Sequence, residues 1–275
     1  MGQIQHPILA ILVVLIIIAC AIPSAALKAV RIRHKFARPS FEDVKFAEKL
    51  FNESVARNAL TAEELICSGR INVTEHRKQF GKISLTHQES QVSRNKKFSP
   101  AKRYSNRYML LEDIKRQGLN GYGAELGVAQ GFFSRNIIRH SNFKMLFSID
   151  AWELGTTYHK RRNWALHLLD PFRTRSCVIW GFFSDAKDLF EDETLDFIYV
   201  DGFAHTGELE GQTFNEFYSK VRSGGVFGGH DYDERWPLVK AAVDHFATVR
   251  NLTINVVPAT QKGWDCCDSW FVIVP

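Results

Sequence analysis

The sequence predicts an α/β protein whose main domain is a doubly wound, seven-stranded and mostly parallel sheet. Two observations predict this fold. From residue 104 onward, short apolar segments alternate with amphipathic segments of about ten residues, which is typical of a parallel sheet covered by helices on both faces. Several apolar segments also end in glycine or acidic residues, and in such sheets ligands bind outside the carboxyl ends of the strands.

The strands are predicted in chain order from the apolar segments. They are Tyr122–Val128, Leu146–Asp150, Ser176–Trp180, Leu195–Asp201, Gly225–His230, Thr253–Val257 and Trp270–Val274. Helices are predicted over residues 108–117, 132–140, 158–169, 185–190, 208–220 and 236–248. No full helix separates the last two strands, so we expect them to form a hairpin that closes the sheet.

Residues 1–27 are predicted to be a membrane anchor or a signal sequence. Ile8–Ile22 is an uninterrupted apolar segment of 15 residues, between the length of a signal-peptide core and that of a spanning helix. We predict a single-pass N-terminal anchor. A cleaved signal that delivers the protein to the secretory pathway is the alternative, and a buried core helix is a third interpretation. Basic residues after the segment favour a cytosolic domain, whereas sequons at Asn52, Asn72 and Asn251 favour the lumen, so the side stays open.

Residues 28–103 are predicted to form a basic, partly helical stem. Between residues 23 and 103 there are 17 basic and 8 acidic side chains. One amphipathic helix is predicted over residues 41–58, and a second begins at Thr61 and ends near Gly69. The rest of the stem is interpreted as a connector, or as a flap over a substrate. The five cysteines predict neither a disulfide scaffold nor a zinc site.

The domain over residues 104–275 carries 18 basic and 22 acidic side chains. This balance argues against a nucleic-acid partner, because such a domain would carry the positive charge on its folded part.

Candidate cofactor-binding residues follow the first three predicted strands. Glu125, Gly127 and Gly131 stand in a glycine turn before a helix, where the backbone can approach an anionic ligand closely. Asp150 ends the second strand and can accept hydrogen bonds from ribose hydroxyls; capping of the next turn is the alternative. After the third strand, Phe183 is a candidate for stacking on a base and Ser184 for the cofactor site or a helix cap.

Candidate catalytic and metal-binding residues follow the fourth and fifth strands. Asp201 and His205 follow one strand, and His230 and Asp231 follow the next. A histidine here can act as a general base, and Asp201 and Asp231 can hold a divalent cation, for which Mg²⁺ is expected. Asp201 is also a candidate cofactor contact. The choice of base between His205 and His230 stays open, as does a purely structural role for His230 and Asp231.

These residues resemble the class I S-adenosylmethionine-dependent methyltransferases over residues 106–275, and within them the branch called methyltransferase domain 24. Glu125-Leu-Gly127 resembles the first motif of that superfamily, Asp150 its ribose-binding acid, and Asp201-Gly the acid after its fourth strand. The passage from Gly224 to Tyr232 is similar to the GG…GHDY signature of the branch. The branch commonly has its histidine three residues after the acid, whereas His205 follows Asp201 by four.

The resemblance implies an enzyme that transfers a methyl group from S-adenosylmethionine to an oxygen of a small hydroxylated molecule or of a glycan sugar. A nicotinamide-dependent oxidoreductase is disfavoured because the G-x-G-x-x-G turn is missing. A membrane-tethered, non-catalytic binding module on the same fold is the remaining alternative, although the acids at the strand ends are all present.

Overall fold

The computed structural model describes residues 66–74, 96–153, 156–260 and 266–275, all within one compact unit that runs from Thr61 to Pro275. The strands described are β1 Ser68–Asn72, β2 Tyr122–Leu126, β3 Met145–Asp150, β4 Ser176–Trp180, β5 Leu195–Val200, β6 Val221–Gly229, β7 Asn255–Val257 and β8 Ser269–Ile273. The helices are α1 Arg107–Arg116, α2 Phe132–His140, α3 Thr156–Leu169, α4 Phe183–Ala186, α5 Gln212–Tyr218 and α6 Pro237–Val249. Short 3₁₀ helices cover Asp170–Phe172, Lys187–Leu189 and Ala204–Thr206.

The strands form one sheet in the order β1-β4-β3-β2-β5-β6-β8-β7. All neighbouring pairs are parallel except those that involve β8, which runs antiparallel to both β6 and β7. The prediction of a doubly wound, mostly parallel sheet is confirmed, and so is the closing hairpin. Strand order reverses direction at β2, which lies between β3 and β5, so the ligand site is expected at the carboxyl end of β2.

Helices cover both faces of the sheet because consecutive side chains of each strand point to opposite faces. In β5, Ile198 and Val200 pack into one apolar cluster and Phe197 and Tyr199 into the other. The first cluster is completed by residues of α4, α5 and α6, and the second by residues of α1, α2 and α3. Each strand of the centre is therefore buried on both sides, which explains its nearly continuous apolar sequence.

The register between β2 and β5 brings two predicted site residues together. Leu126 pairs with Val200, so Gly127 and Asp201, which follow them, stand side by side. The Asp201 N–H donates to the Leu126 carbonyl at 2.7 Å, and the Gly127 N–H donates to the Ile149 carbonyl of β3 at 2.9 Å. The ends of three parallel strands are thus joined by backbone hydrogen bonds at the strand-order reversal.

Residues 66 and 67 are helical, so the helix predicted to end near Gly69 ends two residues earlier, and Ser68–Asn72 is an eighth strand that the sequence analysis did not predict. This strand, β1, pairs in parallel with β4 at the edge of the sheet, and a disulfide joins Cys67 to Cys177 of β4. Both interactions connect residues about a hundred positions apart. Local helical spacing therefore does not decide this segment, since long-range pairing and the covalent bond override it.

Several N-terminal predictions lie outside the described residues. They are the anchor or signal at 1–27, the helix over 41–58 and residues 75–95 of the connector. Among the residues that the structure describes, none of the helices has both the length and the apolar character needed to span a bilayer.

Candidate functional site

The glycine turn after β2 lies against the carboxyl end of β5. Gly127 has a φ of +94°, which L-residues with a Cβ rarely adopt. A Cβ at this position would lie 1.9 Å from the carbonyl oxygen of Asp201 and 2.8 Å from the Cα of Gly202. Only glycine therefore permits this close approach of the two loops, and the same absence of a side chain leaves open backbone for a ligand.

Asp150 holds the turn in place through its carboxylate. The Val128 and Ala129 N–H groups donate to Oδ2 at 3.0 and 2.9 Å, and the Trp152 N–H donates to Oδ1 at 2.9 Å. Burial raises the pKa of Asp150, and the three N–H donors oppose this rise. The structure thus shows the turn-capping interaction, and Asp150 also lines a cavity.

The cavity beside this turn has a volume of about 410 Å³, within the range of small-molecule sites. It is lined by residues from the ends of β2, β3, β4 and β5 and from α3: Gly127, Ala129, Asp150, Ala151, Trp152, Glu153, Tyr158, Arg161, Phe182, Phe183, Asp201, Gly202, Phe203, His205 and Thr206. The predicted site residues that it brings together are Gly127, Asp150, Phe183, Asp201 and His205.

Aromatic side chains form part of the cavity wall. Phe183 is buried, and its ring lies edge-on to that of Phe203 with the centroids 5.1 Å apart. Trp152 is also buried, and its indole N–H donates to the Ala129 carbonyl at 2.8 Å. Trp152 was not predicted as a site residue, although an aromatic residue two positions after the acid at a strand end is a signal that could have indicated it.

Ser184 is exposed and does not belong to the cavity lining. The prediction that it caps a helix over 185–190 is wrong as well. The helix begins two residues earlier, at Phe183, and residue 182 occupies the cap position.

Glu125 and Gly131 lie behind the cavity lining. Glu125 is 1% exposed and accepts a hydrogen bond from the Ser134 hydroxyl of α2. Burial raises the pKa of Glu125 well above its usual range, although the Ser134 hydrogen bond opposes this. Gly131 is the N-cap of α2 with a φ of +82°, and a Cβ there would lie 3.0 Å from the Cα of Ala165. Both residues therefore help to set the position of α2.

Asp201, His230 and Asp231 form a compact cluster next to the cavity. The Nδ1 atom of His230 lies 3.5 Å from Oδ1 of Asp201 and 3.2 Å from Oδ1 of Asp231. One candidate ligand atom from each residue lies within 4.8 Å of the others. Two carboxylates and an imidazole are ligands that divalent cations accept, the carboxylates suiting Mg²⁺ and the imidazole Mn²⁺ or Zn²⁺. The donor set therefore fits the predicted cation.

The two histidines differ in their surroundings. Burial disfavours protonation of His230, but the Tyr199 hydroxyl and the carboxylates of Asp201 and Asp231 outweigh it and raise its pKa to about 12. A protonated imidazole cannot act as a base. His205 is exposed, lines the cavity, and packs edge-on against the ring of Trp236 with the centroids 4.8 Å apart.

Glu208 is a buried carboxylate under the loop after β5 that the sequence analysis did not identify. It is 3% exposed and accepts hydrogen bonds from the N–H groups of Gly202 and Phe203 at 3.0–3.2 Å. Burial raises its pKa to about 7, and the charges of Asp201 and Asp231 act in the same direction. In the sequence, the glycines at 207 and 211 on either side of this segment could have indicated an unusual turn.

The predicted helix over residues 208–220 is interrupted at this point. Residues 207–211 all have positive φ values between 56° and 82°, so the chain makes a left-handed turn before α5 begins at Gln212. For residues with a Cβ this conformation costs about 1–2 kcal/mol each. Such strain is typical of segments that the surrounding structure holds for function.

A sheet in this order, with a glycine turn after β2 and acids after β3 and β5 around one cavity, has its ligand site at the reversal of strand order, as doubly wound sheets do. Residues 124–232 match the model of a protein family described as a methyltransferase domain. The match supports the resemblance of this part of the chain to the class I S-adenosylmethionine-dependent methyltransferases.

Solved structures with a similar fold come from several kinds of enzyme. An O-methyltransferase from Bacillus cereus in complex with SAH is 18% identical, with a TM-score of 0.48, and the match covers 63% of this chain and 84% of that one. A precorrin-6y C5,15-methyltransferase from Geobacter metallireducens is 14% identical, with a TM-score of 0.46 and coverages of 65% and 94%. A spermidine synthase from Thermotoga maritima is 15% identical, with a TM-score of 0.47 and coverages of 62% and 61%.

The enzymes named for these structures catalyse different reactions. No protein of curated function matches the sequence.

Proposed function

We propose that the protein transfers the methyl group of S-adenosylmethionine to a hydroxyl oxygen of a sugar or of another small hydroxylated molecule. The observation that carries the proposal is the cluster of Asp201, His230 and Asp231 next to the cavity, with His205 in the cavity wall. A hydroxyl group must lose its proton during methyl transfer, and these residues supply both a base and the ligands for a cation that would assist this loss.

In this proposal the residues around the cavity have separate roles in binding the cofactor and the acceptor. The open backbone at Gly127 and the carboxylate of Asp150 bind the nucleoside part of S-adenosylmethionine, and Phe183 contacts its base. S-adenosylmethionine supplies a methyl group bonded to a sulfonium, which leaves as a neutral thioether. Alignment of the acceptor oxygen with this methyl group supplies much of the rate acceleration, and the loop from Asp201 to Thr206 is the part of the wall that positions the acceptor.

His205 is the proposed general base. Its ring is held by Trp236 at the cavity wall, whereas the Nδ1 of His230 faces two carboxylates. We assign Asp201 and Asp231 to the divalent cation, for which Mg²⁺ and Mn²⁺ are the first candidates, and His230 to holding the two carboxylates in place. When bound there, the cation would lower the pKa of an acceptor hydroxyl and fix its orientation.

The test uses the full chain in a nonionic detergent, labelled S-adenosylmethionine, and a panel of sugars and polysaccharides, with the methylated atom located by mass spectrometry. His205→Ala should reduce kcat by about 10²–10⁴-fold and leave SAH affinity unchanged. The matched control is His245→Ala, which removes an exposed histidine from α6. If His205→Ala retains full turnover, His205 is not the base.

Chelation tests the cation separately. EDTA should abolish turnover and added Mg²⁺ or Mn²⁺ should restore it, while calorimetry shows unchanged SAH binding. Full turnover in EDTA would remove the cation from the proposal. SAH binding without methylation of any acceptor would favour the alternative of a non-catalytic binding module.

We further propose that Ile8–Ile22 anchors the protein in a membrane with the domain on the luminal side. The length and apolar character of the segment support an anchor. The Cys67–Cys177 disulfide supports the lumen, because disulfides persist in oxidising compartments. Retention of the protein in carbonate-washed membranes, together with a shift in size after endoglycosidase treatment, is the expected result. Release with a new N-terminus near residue 27 would show a cleaved signal instead.

A further inference from the structure

Helices α2 and α3 are exceptionally basic for this domain. Their 23 residues contain no Asp or Glu and include five cationic side chains: Arg135, Arg139, Lys160, Arg161 and Arg162. The domain from residue 104 to 275 carries more acidic than basic side chains. The positive charge is thus concentrated on two helices that lie side by side on one face of the sheet.

Two large aromatic side chains lie exposed among these charges. Phe132 is 44% exposed and Trp164 is 56% exposed, and their ring centroids are 6.5 Å apart. The Arg135 guanidinium lies 6.0 Å from the centre of the Phe132 ring. Exposed aromatic residues in contact with each other mark interaction sites more often than a single exposed apolar residue does.

Helical spacing places charges and rings on the same outer faces. In α2, Phe132, Arg135 and Arg139 are separated by three and four residues, and in α3 Lys160 and Trp164 are separated by four. Within the part of the chain that the structure describes, no ion pair is formed by Arg135, Arg139 or Lys160. We define the aromatic–basic surface as Phe132, Arg135, Arg139, Lys160 and Trp164.

The aromatic–basic surface adjoins the mouth of the cavity. Tyr158 and Arg161, which flank Lys160 on α3, line the cavity. The close contact between Gly131 and Ala165 packs the start of α2 against α3. A ligand on the surface would therefore lie on the same helix that supplies part of the cavity wall.

The chemistry of the surface fits a polyanion with apolar faces. Cations attract the negative groups, and the flat rings of Phe132 and Trp164 offer stacking surfaces for the C–H faces of sugar rings. Nucleic acid, an anionic membrane and an acidic polysaccharide all carry the negative charge that a basic surface attracts. The Cys67–Cys177 disulfide and the exposed sequon at Asn251 favour the secretory lumen, whereas the anionic membrane surface faces the cytosol. Of the three polyanions, the acidic polysaccharide is the one that belongs to the lumen.

We propose that the aromatic–basic surface binds a sulfated or carboxylated polysaccharide and presents one of its sugar hydroxyls to the cavity. The inference rests on the proposed function and narrows its acceptor to an acidic glycan. In this arrangement binding energy from sugar units remote from the reacting one holds the acceptor oxygen in line with the methyl group.

Binding is measured with heparin as the probe, using the full chain in a nonionic detergent and a series of salt concentrations. Arg139→Gln with Lys160→Gln should weaken heparin binding roughly tenfold at 0.1 M NaCl and reduce the slope of log affinity against log salt by about 2, since two cationic contacts are lost. Trp164→Ala should weaken binding roughly fivefold and leave the salt slope unchanged, because it removes stacking and not charge.

The matched control removes the same charge elsewhere. Lys102→Gln with Lys240→Gln changes two lysines that lie outside α2 and α3 and should alter heparin affinity by less than about twofold. None of the substituted residues lines the cavity, so SAH affinity should be the same in all variants.

Different results would contradict the role of the aromatic–basic surface and the proposed methyltransferase function. If the protein binds SAH but not heparin, or if the control pair weakens heparin binding as much as the α2 and α3 pair, the inference is wrong. Binding of phosphatidylserine vesicles or RNA in preference to heparin through the same residues would also overturn it. Failure to bind SAH would refute the proposed function, while the heparin measurements would still decide the role of the surface.

Discussion

Breaking the Cys67–Cys177 disulfide should lower the free energy of unfolding by about 5 kcal/mol. The two cysteines are 110 residues apart in sequence. A cross-link that closes a loop of this length removes about 16 cal/mol/K of entropy from the unfolded chain, or about 4.8 kcal/mol at 25 °C. For a domain of this size the thermal midpoint should fall by roughly 10–20 °C. The loss is large because the bond ties the edge strand β1 to β4, which is distant in sequence.

The assay is guanidinium unfolding followed by tryptophan fluorescence, with and without reductant. The wild-type protein should lose stability when reduced, whereas Cys67→Ala with Cys177→Ala should be less stable and insensitive to reductant. Cys266→Ala is the matched control, since it removes an exposed free cysteine and should leave the effect of reductant intact.

Two results would contradict the prediction that this disulfide stabilises the folded protein. One is an unfolding midpoint that reductant does not move. The other is peptide mapping without reduction that finds Cys67 and Cys177 as free thiols. The second result would also remove the main support for a luminal domain.

Three further predictions concern the site. Gly127→Ala should abolish SAH binding measured by calorimetry, because the new Cβ would clash with the Asp201 carbonyl. Gly118 also has a positive φ, but a Cβ there would meet no close atom. The control variant Gly118→Ala should therefore cost only about 1 kcal/mol of stability. Asp150→Ala should weaken SAH binding at least tenfold, since it releases three N–H groups of the turn as well as the proposed ribose contact; unchanged affinity would contradict this. Because the pKa of Glu208 is raised from 4.5 to about 7, this residue should contribute a loss of roughly 3 kcal/mol of stability as the pH rises from 4.5 to 7. Glu208→Gln should reduce the pH dependence of stability by about this amount in urea titrations across the same range.

The alternation of apolar and amphipathic segments was enough to predict the sheet. The seven strands from Tyr122 to Ile273 and the helix Phe132–His140 lie where the pattern placed them, because burial on both faces requires apolar residues throughout each central strand. The positions of Gly127, Asp150 and Asp201 at strand ends followed from the same pattern, since the carboxyl ends of parallel strands meet at one edge.

The side-chain partners within the site could not be predicted in this way. Sequence placed Glu125 and Ser184 among the cofactor-binding candidates, yet the structure turns Glu125 towards Ser134 and leaves Ser184 exposed. Which way a side chain at a strand end points depends on the helix packed behind it. Glu208 lay in a segment with ordinary helical spacing, and its burial depends on a left-handed turn.

The class of sheet, the strand ends of the candidate site and the apolar N-terminal segment can all be predicted from the amino-acid sequence, because each depends on local periodicity or composition. Other features are visible only in the folded protein. Ser68–Asn72 is a strand beside the Cys67–Cys177 disulfide, His230 faces two carboxylates while His205 lines the cavity, and Phe132 meets Trp164 among basic residues. These features join residues that are far apart in the chain, and the free energy of such contacts appears only when packing brings their side chains together.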